Sequence, residues 1–355
     1  MQLTKQQTGV LYQLVQGVKN GVEEQTLGGY AGTGKTTLIK YLCNFFPNFA
    51  VAAYTGKAAN VLRKKEIQAT TIHSRIYIPV IEFGVLTGFE LAPRDDLGCQ
   101  GFIIDEASMV SQDIYEDLSS YSLPMVYVGD HGQLEPIGSD FNLMSSPMYR
   151  LEEIHRNAND IAKFAEFLRK GRNSFHFRGE EEERVQFLAK KHVTDDDLVS
   201  VEQIICAYNA TRVDLNKRIR SALGLEGGVQ VGDRVMCLKN NKQLHLFNGM
   251  QGVVKKLYES DRGRKLMDFE FDNTVYTGIW YDTKWFNVEK PDFEYNGQEY
   301  PNPFDFAYAI TCHKAQGDEW ESGLVYEQKC KNWDHKRWAY TAASRFKNLL
   351  KWAYC

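Results

Sequence analysis

The sequence contains no apolar run of the roughly 20 residues needed to span a bilayer. Residues 1–9 are polar where a secretory leader would carry an apolar stretch. These absences exclude a membrane-spanning reading and imply a cytoplasmic chain. Cysteine is sparse as well. The seven cysteines stand at 43, 99, 206, 237, 312, 330 and 355, with no CxxC pair, which excludes a zinc ribbon or a disulfide framework. Basic residues are not in excess: 42 Lys and Arg face 46 Asp and Glu, for a net charge of −4. A chain that coats nucleic acid over its whole surface is thereby excluded, but a local basic groove is not. Acidic residues 180–183 and 195–197 offset basic ones elsewhere. There is no low-complexity tract and no repeat of fixed period.

The 355 residues present, 43% hydrophobic and 25% charged, suffice for two core domains with small insertions. Short apolar strands at residues 25–28, 49–54, 101–104 and 124–128 alternate with helical patterns, the first helix at 35–46. Such alternation predicts a parallel α/β sheet with ligands at the strands' carboxyl ends. Residues 76–100 interrupt it with Pro79, Gly84, Gly88 and Pro93 between apolar pieces, as a hairpin would. The α/β pattern resumes from Leu151, with a strand at 204–208. Residues 235–238, 252–257, 266–271 and 275–281 then alternate apolar and polar, which predicts a small antiparallel barrel.

Chemistry concentrates at the strand ends. Gly29-Tyr30-Ala31-Gly32-Thr33-Gly34-Lys35-Thr36 matches GxxxxGK[ST] between a strand and a helix, the context that motif requires. Glycines let backbone N–H groups close on phosphate oxygens, and the helix N-terminus adds positive potential. Lys35 is placed to reach the β- and γ-phosphates of ATP, and Thr36 to hold Mg²⁺. A dinucleotide fingerprint fails, because Lys35, Thr36 and Thr37 follow Gly34 without a third glycine. Ile103-Ile104-Asp105-Glu106 puts two acids at a buried strand's tip: Asp105 for Mg²⁺, Glu106 to take a proton from the attacking water. Gln133, after the strand ending at Val128-Gly129-Asp130, is a candidate to position that water or sense the γ-phosphate. Arg156 and Arg345 are candidates to neutralise charge in the transition state.

In order, these motifs resemble the superfamily-one DNA helicases, in the 5′-to-3′ branch of RecD and Dda. Leu3-Thr4-Lys5-Gln6-Gln7 is similar to the adenine-reading Q motif, with Gln7 the contact. Tyr54-Thr55-Gly56-Lys57 and Thr70-Thr71-Ile72-His73 resemble motifs Ia and Ib. The Asp105-Glu106 and Gln133 segments resemble motifs II and III. Arg156 and Arg345 match the arginines of motifs IV and VI, and residues 309–317 resemble motif V. The resemblance implies Gly32, Thr33, Gly34, Lys35, Thr36, Thr37 and Gly317 around the nucleotide, His155 on the adenine and Glu319 on the ribose. It also implies strand contacts at Thr55, Lys57, His73, Thr311 and His313. Glu135 departs from the proline common in motif III, and Ser344 from the threonine before the finger arginine.

The expected fold is two RecA-like parallel-sheet domains, 1–75 with 101–150 and 151–228 with 302–355. A β-hairpin insertion at 76–100 and an SH3-like β-barrel insertion at 229–301 complete it. The hairpin supplies a wedge for duplex junctions, with Phe83 and Phe89 as candidates and Phe89 preferred. The implied partners are single-stranded DNA, junctions, and single-strand-binding or replication proteins. A monomer is the default, and the compact build fits a phage-type protein acting in the host cytoplasm. Two alternatives remain open at this level: an RNA-directed motor, and a P-loop switch that moves nothing.

Overall fold

The computed structural model describes residues 3–82, 85–134, 141–153, 160–179, 184–241, 244, 246, 248–271, 274–293, 300–329 and 333–354. A capping box opens it. Thr4 Oγ1 accepts from Gln7 N at 3.2 Å and Gln7 Oε1 accepts from Thr4 N at 3.0 Å, which sets the start of α1 (Lys5–Lys19). The chain continues through β1 (Glu24–Gly29), α2 (Lys35–Phe45), β2 (Phe49–Ala53), α3 (Gly56–Lys64), β3 (Ala69–Thr71) and α4 (Ile72–Ile76). The hairpin β4 (Tyr77–Glu82) and β5 (Val85–Leu91) follows, then β6 (Gly101–Asp105), α5 (Gln112–Ser119), β7 (Met125–Gly129), β8 (Tyr149–Leu151) and α6 (Asp160–Arg169).

Six of these strands form a parallel sheet in the order β3-β2-β6-β7-β1-β8, while β4 and β5 pair only with each other. Because successive side chains alternate faces, β6 and β7 feed two cores. Ile103, Val126 and Val128 join Leu14, Leu27, Leu38 and Leu42 on one face. Phe102, Ile104, Met125 and Tyr127 join Ile114 and Leu118 on the other. Covered on both sides, the central strands read as continuous apolar runs. Gly28 pairs with Gly129 and Ala53 with Asp105, so the P-loop, the two acids and Asp130 leave the sheet at one edge.

The chain divides into two compact units. The first comprises Met1–Val185, Ala315–Glu319 and Asn332–Lys347; the second comprises Gln186–Lys314, Trp320–Lys331 and Asn348–Cys355. In the first unit, α9 (His335–Ala343) packs along α6.

The second unit contains β9 (Val185–Ala189), α7 (Asp195–Val199), β10 (Gln203–Cys206), α8 (Asn209–Ala222), β11 (Arg234–Cys237), β12 (Gln251–Glu259), β13 (Lys265–Phe271), β14 (Thr274–Trp280), β15 (Phe304–Phe306), β16 (Ala309–Thr311), β17 (Trp320–Tyr326) and β18 (Phe346–Tyr354). One sheet has the order β16-β10-β17-β18-β9, and an antiparallel sheet has the order β14-β13-β12-β11-β15. The antiparallel strands fall at the predicted positions. Ile204, Ile219, Val235, Val254, Phe269 and Phe306 belong to one apolar cluster, so both sheets and α8 share a core. Two arginines of α8 are sunk into it. Arg220 grips Asp233 through Nε and Nη2 at 2.9 and 3.0 Å, and Arg212 pairs with Asp305. Among the described residues no helix is long and apolar enough to cross a membrane.

Candidate nucleotide site

The P-loop runs from the end of β1 into α2. Gly34 caps the helix at φ +86°, a left-handed conformation that favours glycine and leaves the first-turn N–H groups open. Lys35 Nζ folds back into the loop, donating to Gly29 O at 2.7 Å and Tyr30 O at 3.2 Å, and lies 3.9 Å from Asp130 Oδ2. Thr33 Oγ1 donates to Tyr30 O at 2.8 Å. Gln7 is buried, and its Nε2 donates to Thr33 O at 2.9 Å, so this side chain braces the P-loop's backbone. Thr36 and Thr37 sit half-buried in the first turn of α2.

At the end of β6, Asp105 Oδ1 accepts from Glu106 N at 2.9 Å. Glu106 adopts a left-handed backbone, φ +54°, and its Oε2 is buried with no hydrogen-bond partner. Burial raises the Glu106 pKa to about 7. Asp105 adds to the rise, while Arg345 and Lys35 oppose it. Burial also raises Asp105, against the pull of Glu106 N–H and Lys35. A carboxyl near 7 with a free oxygen is suited to accept a proton at neutral pH.

Asp130 collects the neighbouring groups. Its Oδ1 accepts from Gly132 N at 2.9 Å. Its Oδ2 accepts from Gln133 Nε2 at 3.3 Å and from the Tyr340 hydroxyl at 2.5 Å. Gln133 Oε1 is buried and unpartnered. Tyr30, within the P-loop, lies between two rings and a cation: His131 at 4.2 Å, Tyr340 edge-on at 6.0 Å, and the Arg169 guanidinium 3.8 Å over its face. Arg169 also donates to the Tyr30 hydroxyl at 2.9 Å and to Glu166 twice at 2.6 Å. Burial pushes the His131 pKa down, which favours the neutral ring.

Arg345, at the end of α9, is 3% exposed. It donates to Thr341 O at 3.2 Å, Asp318 O at 3.3 Å and Ser344 Oγ at 3.0 Å. Glu319 pairs with Lys347 at 3.0 Å; burial alone would raise its pKa, but Lys347 and Arg345 hold it below the usual carboxylate range. Gly317, at φ +77°, passes so close that an added Cβ would meet Met109 Sδ at 2.9 Å and Thr55 Cγ2 at 3.2 Å.

Thr55 caps α3, accepting from Ala58 N at 3.1 Å, and Lys57 lies in that helix's first turn. His73 lies in α4, its ring 5.6 Å from Tyr77. Thr311 ends β16, and His313 is in the short helical turn after it, with burial lowering its pKa. Phe89 is half-buried opposite Pro79, two pairs in from the base pair Tyr77–Leu91, while Glu82–Val85 closes the far end. Phe89 thus lies near the middle of the stem. His155, Arg156, Glu135 and Phe83 lie outside the described residues.

Sequence reasoning missed Asp130, Tyr340, Thr341, Gln316 and Arg169. Thr341 Oγ1 accepts from Leu134 N at 2.9 Å, and Gln316 Nε2 donates to Leu134 O at 2.7 Å. The available signal was position: Tyr340 and Thr341 lie within five residues of Arg345, and Asp130 ends a buried strand.

A parallel sheet that releases its chain into this cradle makes the first unit a RecA-like P-loop nucleotide-binding fold. The chain belongs to the AAA domain family, whose sequence profile matches residues 2–192. Among curated relatives, the ATP-dependent RecD2 DNA helicase of Deinococcus radiodurans is 26% identical over 92% of this chain and 45% of its own length. The Dda helicase of Enterobacteria phage T4 is 29% identical over 48% of this chain and 43% of its own length. Bacteroides Pif1, solved bound to single-stranded DNA, shares the fold at TM-score 0.58 and 20% identity, covering 100% of this chain and 92% of that one. The curated relatives are named ATP-dependent DNA helicases, and RecD and Dda are among the helicases the motif order resembles. The chain spans about half the length of the curated relatives it matches.

Proposed function

We propose that the protein hydrolyses ATP to move 5′-to-3′ along single-stranded DNA and to unwind duplex ahead of it. The observation that carries this reading is the convergence, within one compact unit, of the P-loop, Glu106 with its buried and unpartnered Oε2, Gln133 and the buried Arg345. A nucleotide switch needs neither a poised base nor an arginine brought in from a distant stretch of chain. The P-loop amides and Lys35 bind the β- and γ-phosphates, Glu106 takes the proton of the attacking water, and Gln133 orients that water. Arg345 neutralises charge that develops on the phosphoryl oxygens, and Arg156 is assigned the same role. Gln7 and His155 are assigned to the adenine and Glu319 to the ribose.

Thr36 and Asp105 offer oxygen donors of the kind Mg²⁺ takes when phosphates complete its shell. No group of three or more His, Cys, Asp or Glu placed to hold a metal ion occurs among the described residues. Bound there, Mg²⁺ would offset phosphate charge. Thr55, Lys57, His73, Thr311 and His313 are the proposed strand contacts.

Coupled ATPase assays without nucleic acid, with single-stranded DNA and with single-stranded RNA test the reading. Stimulation by DNA is expected. Stimulation by RNA alone would make it an RNA motor, and none by either would make it a switch.

A further inference from the structure

Tyr340 sits in helix α9, which leads through its cap Ser344 into Arg345, 309 residues along the chain from Ala31, yet its hydroxyl touches the P-loop. The oxygen lies 2.7 Å from Ala31 N and 2.5 Å from Asp130 Oδ2, and the side chain is 1% exposed. The backbone N–H can only donate, so the oxygen accepts there and its own proton goes to the carboxylate. Asp130 in turn stands 3.9 Å from Lys35 Nζ and holds the amide of Gln133. The next residue of the helix, Thr341, accepts from Leu134 N with its hydroxyl and from Arg345 Nε with its carbonyl. One turn of α9 therefore reads the P-loop and Asp130 on one side and sets Arg345 on the other. Gly132 has no side chain where the rings of Tyr30 and Tyr340 close over it, at 2.8 and 3.0 Å from an added Cβ.

We propose that Tyr340 is a positioning residue for ATP turnover, its hydroxyl holding the P-loop and Asp130 in register with the helix that leads into Arg345. It acts through Ala31 and Asp130 on Lys35, and through the helix on Arg345, without touching substrate. The ring fills space and the hydroxyl carries the coupling, so the two are separable by substitution. The inference rests on the ATPase reading proposed above.

Tyr340→Phe keeps the ring and removes the hydroxyl. Its kcat for DNA-stimulated ATP hydrolysis is expected to fall tenfold or more. KM for ATP, the Kd for a fluorescent ADP analogue and the melting temperature should stay close to the parent values. Replacing Tyr340 by 4-aminophenylalanine returns a donor to Asp130 and should recover at least a third of the parent kcat. In combination with Asp130→Asn, Tyr340→Phe should add no further loss, because both act on one network. A folded Tyr340→Phe protein with kcat within twofold of the parent overturns the proposal, and so does an additive double mutant. A Tyr340→Phe protein that does not fold, or loses nucleotide binding and kcat in step with its melting temperature, assigns the hydroxyl to the core and overturns it equally. A parent protein without ATPase activity would instead sink the functional reading itself, before any variant is compared.

Discussion

Glu106 is the side chain on which burial acts most directly, because its pKa of about 7 falls inside the working pH range. As a general base it must be ionised, so kcat should rise with pH and level off above about 7; a flat profile from pH 5.5 to 8 would remove it from that role. The same shift bears on folding. The folded pKa exceeds the ordinary value near 4.3, so the native state pays no penalty below that value. It loses stability as pH rises through the interval up to 7. Glu106→Gln should abolish turnover while leaving nucleotide binding, and should flatten that part of the stability profile in urea titrations. Arg345→Ala is expected to lower kcat by about 10³-fold or more with ATP affinity little changed, because its charge matters most in the transition state. Equal losses in kcat and binding would make it a structural anchor, a reading its three hydrogen bonds to α9 and Asp318 would then explain.

At the scale of elements, α8 and the hairpin make opposite demands. Arg220 and Asp233 are both nearly inaccessible, at 4% and 0% exposure, so removing one partner leaves an unpaired charge in an apolar core. Arg220→Ala should cost about 3–5 kcal/mol in urea denaturation. Arg220→Met with Asp233→Leu should cost much less, since neither buries a lone charge. The hairpin was legible in outline from its prolines and glycines, but the place of Phe89 was not. Register decides which residues lie near the turn, and single-residue spacing in a Gly-containing strand leaves register open. If the ring packs into the stem instead of meeting the junction, Phe89→Ala should lower the melting temperature, ATPase and unwinding together. A variant that keeps melting temperature and ATPase but loses unwinding would return the ring to the junction.

For the whole molecule, a net charge of −4 makes the salt dependence of strand affinity informative. If Lys57 and its neighbours neutralise several phosphates, log K should fall linearly with log salt, steeply enough to lose about 10³-fold between 50 and 200 mM. A shallow slope would mean the strand is held by other means. The parallel sheet and the chemistry at its edge were readable because each strand end carries a local signature: glycines before Lys35, two acids after Ile104. The contacts of Tyr340 and Arg169 were not, because they join stretches of chain 309 and 139 residues apart, and no local pattern encodes which helix lies against which loop.

The left-handed backbone at Glu106 has a consequence outside the reaction. A residue with a side chain held there is strained by about 1–2 kcal/mol, and this one buries a carboxylate oxygen without a partner as well. Asparagine tolerates the same backbone far better and carries no charge. Glu106→Asn should therefore melt at a higher temperature than the parent while hydrolysing no ATP. The inactive protein would be the more durable of the two, and a screen that selects on thermal endurance alone would drift toward silence at this position.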